Sequence, residues 1–117
     1  MSVISNKVYD TLKELFPLNI IIKEHYVKYK GSKLFFDFYI KDLNVLIEVQ
    51  GRQHTRFVKH FHEERGKFVA QKNRDNLKIE YAQKNNIALT RFGFDEKITK
   101  NLVMRKIYNA IERGFYE

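Results

Sequence analysis

The first helix is visible in the spacing of hydrophobic positions at the start of the chain. After Ser2, apolar side chains recur every three or four residues, which places them on one face of a helix; they are Ile4, Val8, Leu12 and Leu15. Proline cannot continue a helix, so the pattern ends at Pro17. The sequence therefore predicts a helix over residues 3–16.

Three extended segments follow this helix. Residues 19–29, 33–40 and 45–50 are rich in β-branched and aromatic side chains, and short polar stretches separate them. This composition predicts three strands. The second and third strands are joined by residues 41–44, which is short enough for a hairpin turn.

Helical spacing returns in the second half of the chain. A long helix is predicted near residues 66–85, a fourth strand over residues 87–93, and a final helix for which Asp95 supplies the N-cap. The order α-β-β-β-α-β-α is typical of an α/β (α+β) domain with a central sheet flanked by helices. At 117 residues, the chain is expected to form one domain over residues 1–117.

Two carboxylates interrupt the apolar strands of the predicted hairpin. A turn centred on residues 42–43 pairs residues whose numbers add up to 85, so Asp37 is expected directly opposite Glu48. Opposed side chains on antiparallel strands have Cβ atoms about 4.5–5.5 Å apart. Two carboxylates at that distance repel each other unless one is protonated or a cation lies between them. Mg²⁺ is a hard cation that accepts such oxygens, so the hairpin predicts a Mg²⁺ site.

Strand alternation assigns the neighbours of these acids to two faces. Gln50 is expected on the face of Glu48. The opposite, apolar face is expected to contain Phe36, Phe38, Ile47 and Val49. The alternative for both acids is that each binds a lysine or arginine of the basic surface and balances its charge.

The long helix supplies polar groups for the same face of the sheet. At about 100° per residue, four polar side chains project between two apolar rows; they are Gln71, Arg74, Asp75 and Lys78. A helix that crosses the sheet in this orientation would deliver Gln71 and Lys78 to the carboxylates. Alternatively, these are ordinary surface ions, with Asp75 and Lys78 forming an i,i+3 pair.

Composition narrows the possible partners and chemistry. The chain has 22 Lys and Arg against 14 Asp and Glu, with a formal charge of +8, which suits nucleic acid or another polyanion. The absence of cysteine excludes disulfides, thiol nucleophiles and thiolate zinc sites. No apolar run approaches the roughly 20 residues of a membrane span, so a cytoplasmic protein without a membrane partner is expected.

Asp37, followed by Glu48-Val49-Gln50 on the next strand, resembles the motif of the PD-(D/E)xK nuclease superfamily. The segments "IEVQGRQH" and "QKNRDNLKIEYAQKNNIALTRF" look like the branch that contains very-short-patch-repair-type and phage homing endonucleases. The resemblance covers roughly residues 3–92. It implies an αβββαβ restriction-endonuclease-like core with an extra C-terminal helix. The implied activity is hydrolysis of DNA phosphodiesters with Mg²⁺, for which Mn²⁺ would substitute.

The resemblance also implies roles for individual residues. Asp37, Glu48 and the backbone carbonyl of Val49 would hold the metal. Gln50 occupies the position of the usual catalytic lysine, whose charge an amide cannot supply. Lys78 matches a variation in which the lysine moves to the second helix, and His54 corresponds to a histidine that could transfer a proton. Members of this branch often place a glutamate on the first helix; the candidates are Asp10 and Glu14, although both lie away from the apolar stripe.

Contacts to DNA are expected from the basic and aromatic loop after the third strand and from the long helix. The candidates are Arg52, Arg56, Lys59, Lys67, Gln71 and Arg74. Homing enzymes normally have a separate DNA-recognition domain, and none is visible here. Two further interpretations stay open: a catalytically silent nucleic-acid-binding module on the same fold, and a Holliday junction resolvase that acts as a homodimer. If the chain is encoded by a phage, its location is the host cytoplasm.

Overall fold

The computed structural model describes residues 2–50 and 61–117, and for residues 61–71 it describes the backbone alone. Across these ranges the chain forms three helices and one five-stranded mixed sheet. In chain order the elements are α1 (Val3–Leu15), β1 (Ile21–Tyr29), β2 (Ser32–Ile40), β3 (Val45–Val49), α2 (Phe61–Lys84), β4 (Ala88–Phe92), α3 (Lys100–Arg113) and β5 (Phe115–Tyr116). The predicted element order is confirmed, and the short strand β5 follows it.

The sheet has the strand order β1-β2-β3-β4-β5. The first three strands are antiparallel neighbours, whereas β3, β4 and β5 run parallel. Phe38 pairs with Ile47, and Ile40 pairs with Val45. This is the register that the length of the 41–44 turn predicted. The regular pairing stops at Phe38 and Ile47, so Asp37 in the interior of β2 and Glu48 near the end of β3 lie one position beyond it.

Helices cover both faces of the sheet. Along β3, Val45 and Ile47 pack on the side of α1 and α3, whereas Leu46 packs on the side of α2. We call these two layers the first core and the second core. The first core includes Val8, Leu12, Phe38, Ile40, Phe92, Val103 and Ile107. The second core includes Leu34, Phe36, Leu46, Ala82 and Leu89.

The β1–β2 hairpin reverses its faces part-way along its length. Phe38 lies in the first core, with its ring 5.7 Å from that of Tyr9 in α1. Phe36, only two residues earlier, lies in the second core, with its ring 6.0 Å from that of Tyr81 in α2. Regular alternation would put both rings on one face. The prediction that Phe36 shares the face of Phe38 is therefore wrong.

The reversal is located at Glu24 and Asp37. The strand register sets these two residues opposite each other, but neither takes part in the regular pairing, which resumes on both sides of them. Glu24 has a φ of 50°, in the left-handed region that a non-glycine residue seldom adopts. No residue is inserted, because the register is the same on both sides, but a left-handed φ breaks the extended backbone on which regular alternation depends. Here it turns the outer part of the hairpin toward α2.

The C-terminal helix begins later than its sequence suggested. Thr99 is the N-cap, because its hydroxyl accepts a hydrogen bond from the Leu102 N–H at 3.1 Å. The prediction that Asp95 caps this helix is wrong. The preceding loop is fixed instead by Glu96, which accepts hydrogen bonds from the Gly93 N–H and from the buried ammonium of Lys106, both at 2.7 Å.

In the described ranges, no helix has the length and apolar character that crossing a membrane requires.

Candidate functional site

Glu48 lies at the end of β3 and faces α2. It is 8% exposed, and parallel pairing sets it beside Arg91 of β4. The ammonium of Lys78 lies 2.9 Å from its Oε2 atom, and both side chains are largely buried. Lys78 is thus delivered to the carboxylate as the helical pattern predicted. It binds Glu48 across the interface between helix and sheet.

Asp37 lies at the point where the hairpin reverses its faces. Its Oδ2 atom accepts a hydrogen bond from the Val49 N–H at 2.7 Å, which joins the irregular part of β2 to the end of β3. Within the part of the chain that the structure describes, no lysine or arginine forms an ion pair with Asp37. Among the described residues, the alternative that each acid is bound by its own cation therefore applies to Glu48 alone.

The pKa values of both carboxyl groups are shifted in the same direction. Burial raises the pKa of Asp37, and Glu24 adds to this, while the Val49 N–H and Lys78 oppose it. Burial also raises the pKa of Glu48, and repulsion from Asp37 adds to this, while Lys78 and Arg91 oppose it. Each carboxylate is thus costly to ionise where it stands, so the site has an affinity for positive charge, either a proton or a cation.

Arg91 is a member of this cluster that the sequence patterns did not identify. It is 5% exposed, and its Nη2 atom donates to the backbone carbonyl of Asp75 at 3.2 Å. Its Nη1 atom lies 3.9 Å from the Glu117 carboxylate. Its Nε atom is buried and has no hydrogen-bond partner among the described residues. Its position in the strand "ALTRF" was the available signal, since arginine is rarely buried. Only the parallel register of β3 and β4 shows that it stands next to Glu48.

Glu24 is the second residue that the sequence patterns missed. It is exposed, and its charge raises the pKa of Asp37. A glutamate in an edge strand carries no sequence signal for a left-handed φ. Among the described residues, no group of three or more His, Cys, Asp or Glu side chains is close enough to hold a metal ion, so Glu24 does not complete a three-acid site with Asp37 and Glu48.

Three other residues predicted for the site, directly after β3 and on α2, make contacts or have exposures of their own. The Gln50 N–H donates to the Phe92 carbonyl at 2.8 Å and extends the pairing of β3 with β4. Arg74 is exposed on α2. The Asp75 carbonyl accepts a hydrogen bond from Arg91, whereas Lys78 binds Glu48. The alternative interpretation, in which Lys78 is an ordinary surface ion paired with Asp75, therefore does not describe Lys78.

Glu14 does not join the cluster. It forms an exposed ion pair with Lys100 at 2.9 Å, which connects α1 to α3 on the other side of the sheet. Asp10 is likewise exposed on α1 and stays apart from the cluster. Several predicted residues lie outside the described residues: Arg52, His54, Arg56 and Lys59, together with the side chains of Lys67 and Gln71.

The donor set of the cluster fits a hard divalent cation. Mg²⁺ binds through one or two carboxylates and completes its octahedral shell with water and phosphate oxygens. Asp37 and Glu48 each have one oxygen engaged, by the Val49 N–H and by Lys78. The second oxygen of each group, with the Val49 carbonyl, would supply the protein ligands. Comparisons with protein families, with curated proteins and with solved structures gave no match to this chain.

Proposed function

We propose that this protein is a metal-dependent endodeoxyribonuclease with a restriction-endonuclease-like core. The observation that carries the proposal is the convergence of Asp37, Glu48 and Lys78 at one end of the sheet. The buried carboxylate of Glu48 and the partly buried carboxylate of Asp37 both have raised pKa values, and a lysine from the covering helix binds Glu48. Such perturbed groups are concentrated at functional sites. The resemblance of the sequence motif to the PD-(D/E)xK nucleases supports the same proposal.

Hydrolysis of a phosphodiester needs a polarised phosphate and an activated water. A water oxygen forms a bond to phosphorus, a sugar oxygen leaves, and the proton that the water loses balances the proton that the leaving oxygen gains. A bound Mg²⁺ or Mn²⁺ would supply Lewis acidity and lower the pKa of that water. Asp37 and Glu48 would hold the ion, with the Val49 N–H and Lys78 fixing their orientation.

Lys78 supplies the positive charge that the amide of Gln50 lacks. Its ammonium is fixed beside the carboxylates by the contact with Glu48, so it adds a point charge to the site without contributing to the metal ligands. His54 is the residue proposed to transfer the proton. The positive charge of the chain, +8 in all, favours DNA as the partner.

A second function is supported by the same ion pair. Lys78 already neutralises Glu48, as a purely structural lysine would. A catalytically silent DNA-binding module would have this contact and no metal. A dimeric resolvase of Holliday junctions is a third proposal, and cleavage of a four-way junction in preference to linear duplex DNA would support it.

Plasmid cleavage separates the nuclease from the silent module. Supercoiled plasmid is incubated with the protein in Mg²⁺, Mn²⁺ or EDTA, and nicked and linear products are quantified. The proposal expects cleavage in either metal, none in EDTA, and loss of at least about 100-fold in Asp37→Ala and in Glu48→Ala. Asp10→Ala, which removes an exposed acid of α1, is the matched control and should keep full activity. Equal metal-dependent cleavage by wild type and all three variants would show that the cleavage comes from a contaminant, and it would contradict the proposal.

A further inference from the structure

The outer part of the β1–β2 hairpin forms an arm beyond the point where its faces reverse. Its strands cover residues 25–29 and 32–36, whereas β3 pairs with β2 only over residues 38–40. The inner face of the arm packs against α2 through Val27, Tyr29, Leu34 and Phe36. The opposite face has four side chains, which we call the outer face: Tyr26, Lys28, Lys33 and Phe35.

Two aromatic rings are exposed side by side on the outer face. Tyr26 and Phe35 are paired across the strands, with ring centroids 5.1 Å apart, and they are 45% and 54% exposed. Single exposed apolar residues are common, but an exposed pair of flat rings forms a contiguous apolar surface. Because the reversal at Glu24 and Asp37 turns their neighbours toward α2, α1 does not cover these rings.

Two lysines flank the rings on the same face. Lys28 pairs directly with Lys33, and both are exposed. Like charges directly opposite each other destabilise a hairpin. Neither lysine has a carboxylate partner in the described part of the chain. Lysines on an edge strand can prevent pairing with another chain, but that purpose does not account for the two exposed rings beside them.

We infer that the outer face of the hairpin arm binds DNA. The two lysines contact phosphates, which relieves their mutual repulsion, and the rings of Tyr26 and Phe35 stack on unpaired bases. Exposed aromatic rings next to basic side chains are the arrangement with which proteins hold single-stranded nucleic acid. The choice of DNA as the polyanion rests on the proposed function, but the binding itself requires neither metal nor cleavage.

Binding of fluorescent oligonucleotides in EDTA tests this inference independently of the nuclease activity. Single-stranded and duplex DNA of equal length are titrated by anisotropy at several salt concentrations. Two paired variants are compared with wild type: Tyr26→Leu with Phe35→Leu, which keeps apolar bulk but removes the flat rings, and Lys28→Gln with Lys33→Gln. The matched controls are Tyr108→Leu, an exposed tyrosine of α3, and Lys7→Gln with Lys97→Gln at exposed sites.

The ring variant should weaken single-stranded DNA binding by at least about fivefold and duplex binding by less. The lysine variant should lower the salt slope of binding by about 1.4 on single strands and about 1.8 on duplex. The controls should bind DNA as wild type does. Unchanged affinity and slope in both paired variants would overturn the inference. Unchanged DNA affinity with loss of self-association, measured by sedimentation, would likewise overturn it and assign the face to a second copy of the chain. If DNA binding changes as expected in the variants but wild type does not cleave plasmid, the inference that the arm binds DNA stands and only the nuclease proposal is refuted.

Discussion

The ammonium of Lys78 lies 2.9 Å from Glu48, although 30 residues separate the two along the chain. The contact joins the middle of α2 to the end of β3, next to Asp37. One contact therefore both attaches α2 to the sheet and places a positive charge beside the two carboxylates. Any change to Lys78 therefore acts on stability and on the electrostatics of the site together.

Replacing Lys78 with methionine should destabilise the protein and inactivate it. Methionine keeps most of the volume but leaves the Glu48 carboxylate buried without its ammonium partner, which costs about 3 kcal/mol in the free energy of unfolding. Loss of the point charge should lower the plasmid cleavage rate by about 100-fold under the proposed function. Urea denaturation and single-turnover cleavage measure the two effects.

A double variant separates these two effects. Adding Glu48→Gln to Lys78→Met removes the unpaired charge, so much of the stability should return while cleavage stays absent. Stability losses that simply add in the double variant would show that the two side chains do not interact.

Asp37→Asn should stabilise the protein in the absence of metal. Asparagine keeps an acceptor for the Val49 N–H and removes a charge that burial disfavours. A gain of about 1 kcal/mol at pH 8 in EDTA is expected, because functional residues are often kept at a cost to stability and Asp37 is such a residue under the proposed function.

The pH dependence of that gain has a defined sign. The pKa of Asp37 is raised in the folded protein above its ordinary value of 3.8, so the folded state binds its proton more tightly than the unfolded state. The stability of wild type attributable to this group is therefore lost as pH rises through the raised pKa. The advantage of Asp37→Asn should shrink as pH falls toward 3.8, as urea denaturation across pH 4–8 would show. An advantage that grows on acidification would contradict the assignment.

Arg91 should influence the pH range of the proposed activity. Its charge opposes the rise in the pKa of Glu48, so Arg91→Met should raise that pKa further. A larger fraction of Glu48 is then protonated at a given pH, and the acidic limb of the cleavage profile moves to higher pH. Arg91→Lys keeps the charge and should shift the limb less. Equal profiles for all three proteins would mean that Arg91 acts only through its structural contacts, such as those with the Asp75 carbonyl and with Glu117.

Lys106 should matter for folding and not for the site. Its buried ammonium binds Glu96 at 2.7 Å and the Arg91 carbonyl at 2.6 Å, so Lys106→Met removes a charged donor from both acceptors and leaves the Glu96 carboxylate without its countercharge. We expect a loss of about 3 kcal/mol and a fall in Tm of about 10 °C, with metal affinity unchanged at low temperature. Lys100→Met breaks the exposed pair with Glu14 and should cost less than about 1 kcal/mol.

The local features of the site followed from the sequence because short-range rules govern them. The four-residue turn fixes the register of β2 against β3, and Asn44 tolerates the left-handed φ of 57° at its end. The helical period placed Lys78 on the face of α2 that meets the sheet, and the structure confirms its contact with Glu48.

The missed features depend on contacts between distant segments. Phe36 was predicted to share the face of Phe38 because side chains alternate regularly along a strand. The reversal at Glu24 and Asp37 breaks this alternation, and neither residue type predicts such a reversal. Arg91 joins the cluster through the parallel pairing of β3 with β4, whose register no turn fixes. The strand β5 is two residues long, too short for a periodic pattern.

Direct measurement of Mn²⁺ binding tests the central claim, that Asp37 and Glu48 together hold a divalent cation. Electron paramagnetic resonance of free Mn²⁺, titrated with wild type, Asp37→Asn, Glu48→Gln and Asp10→Asn, gives the affinity of each protein. We predict that wild type and Asp10→Asn each bind one Mn²⁺ ion. Asp37→Asn and Glu48→Gln should each bind Mn²⁺ at least about tenfold more weakly. Equal affinity in all four proteins, or no binding by wild type, would contradict the claim.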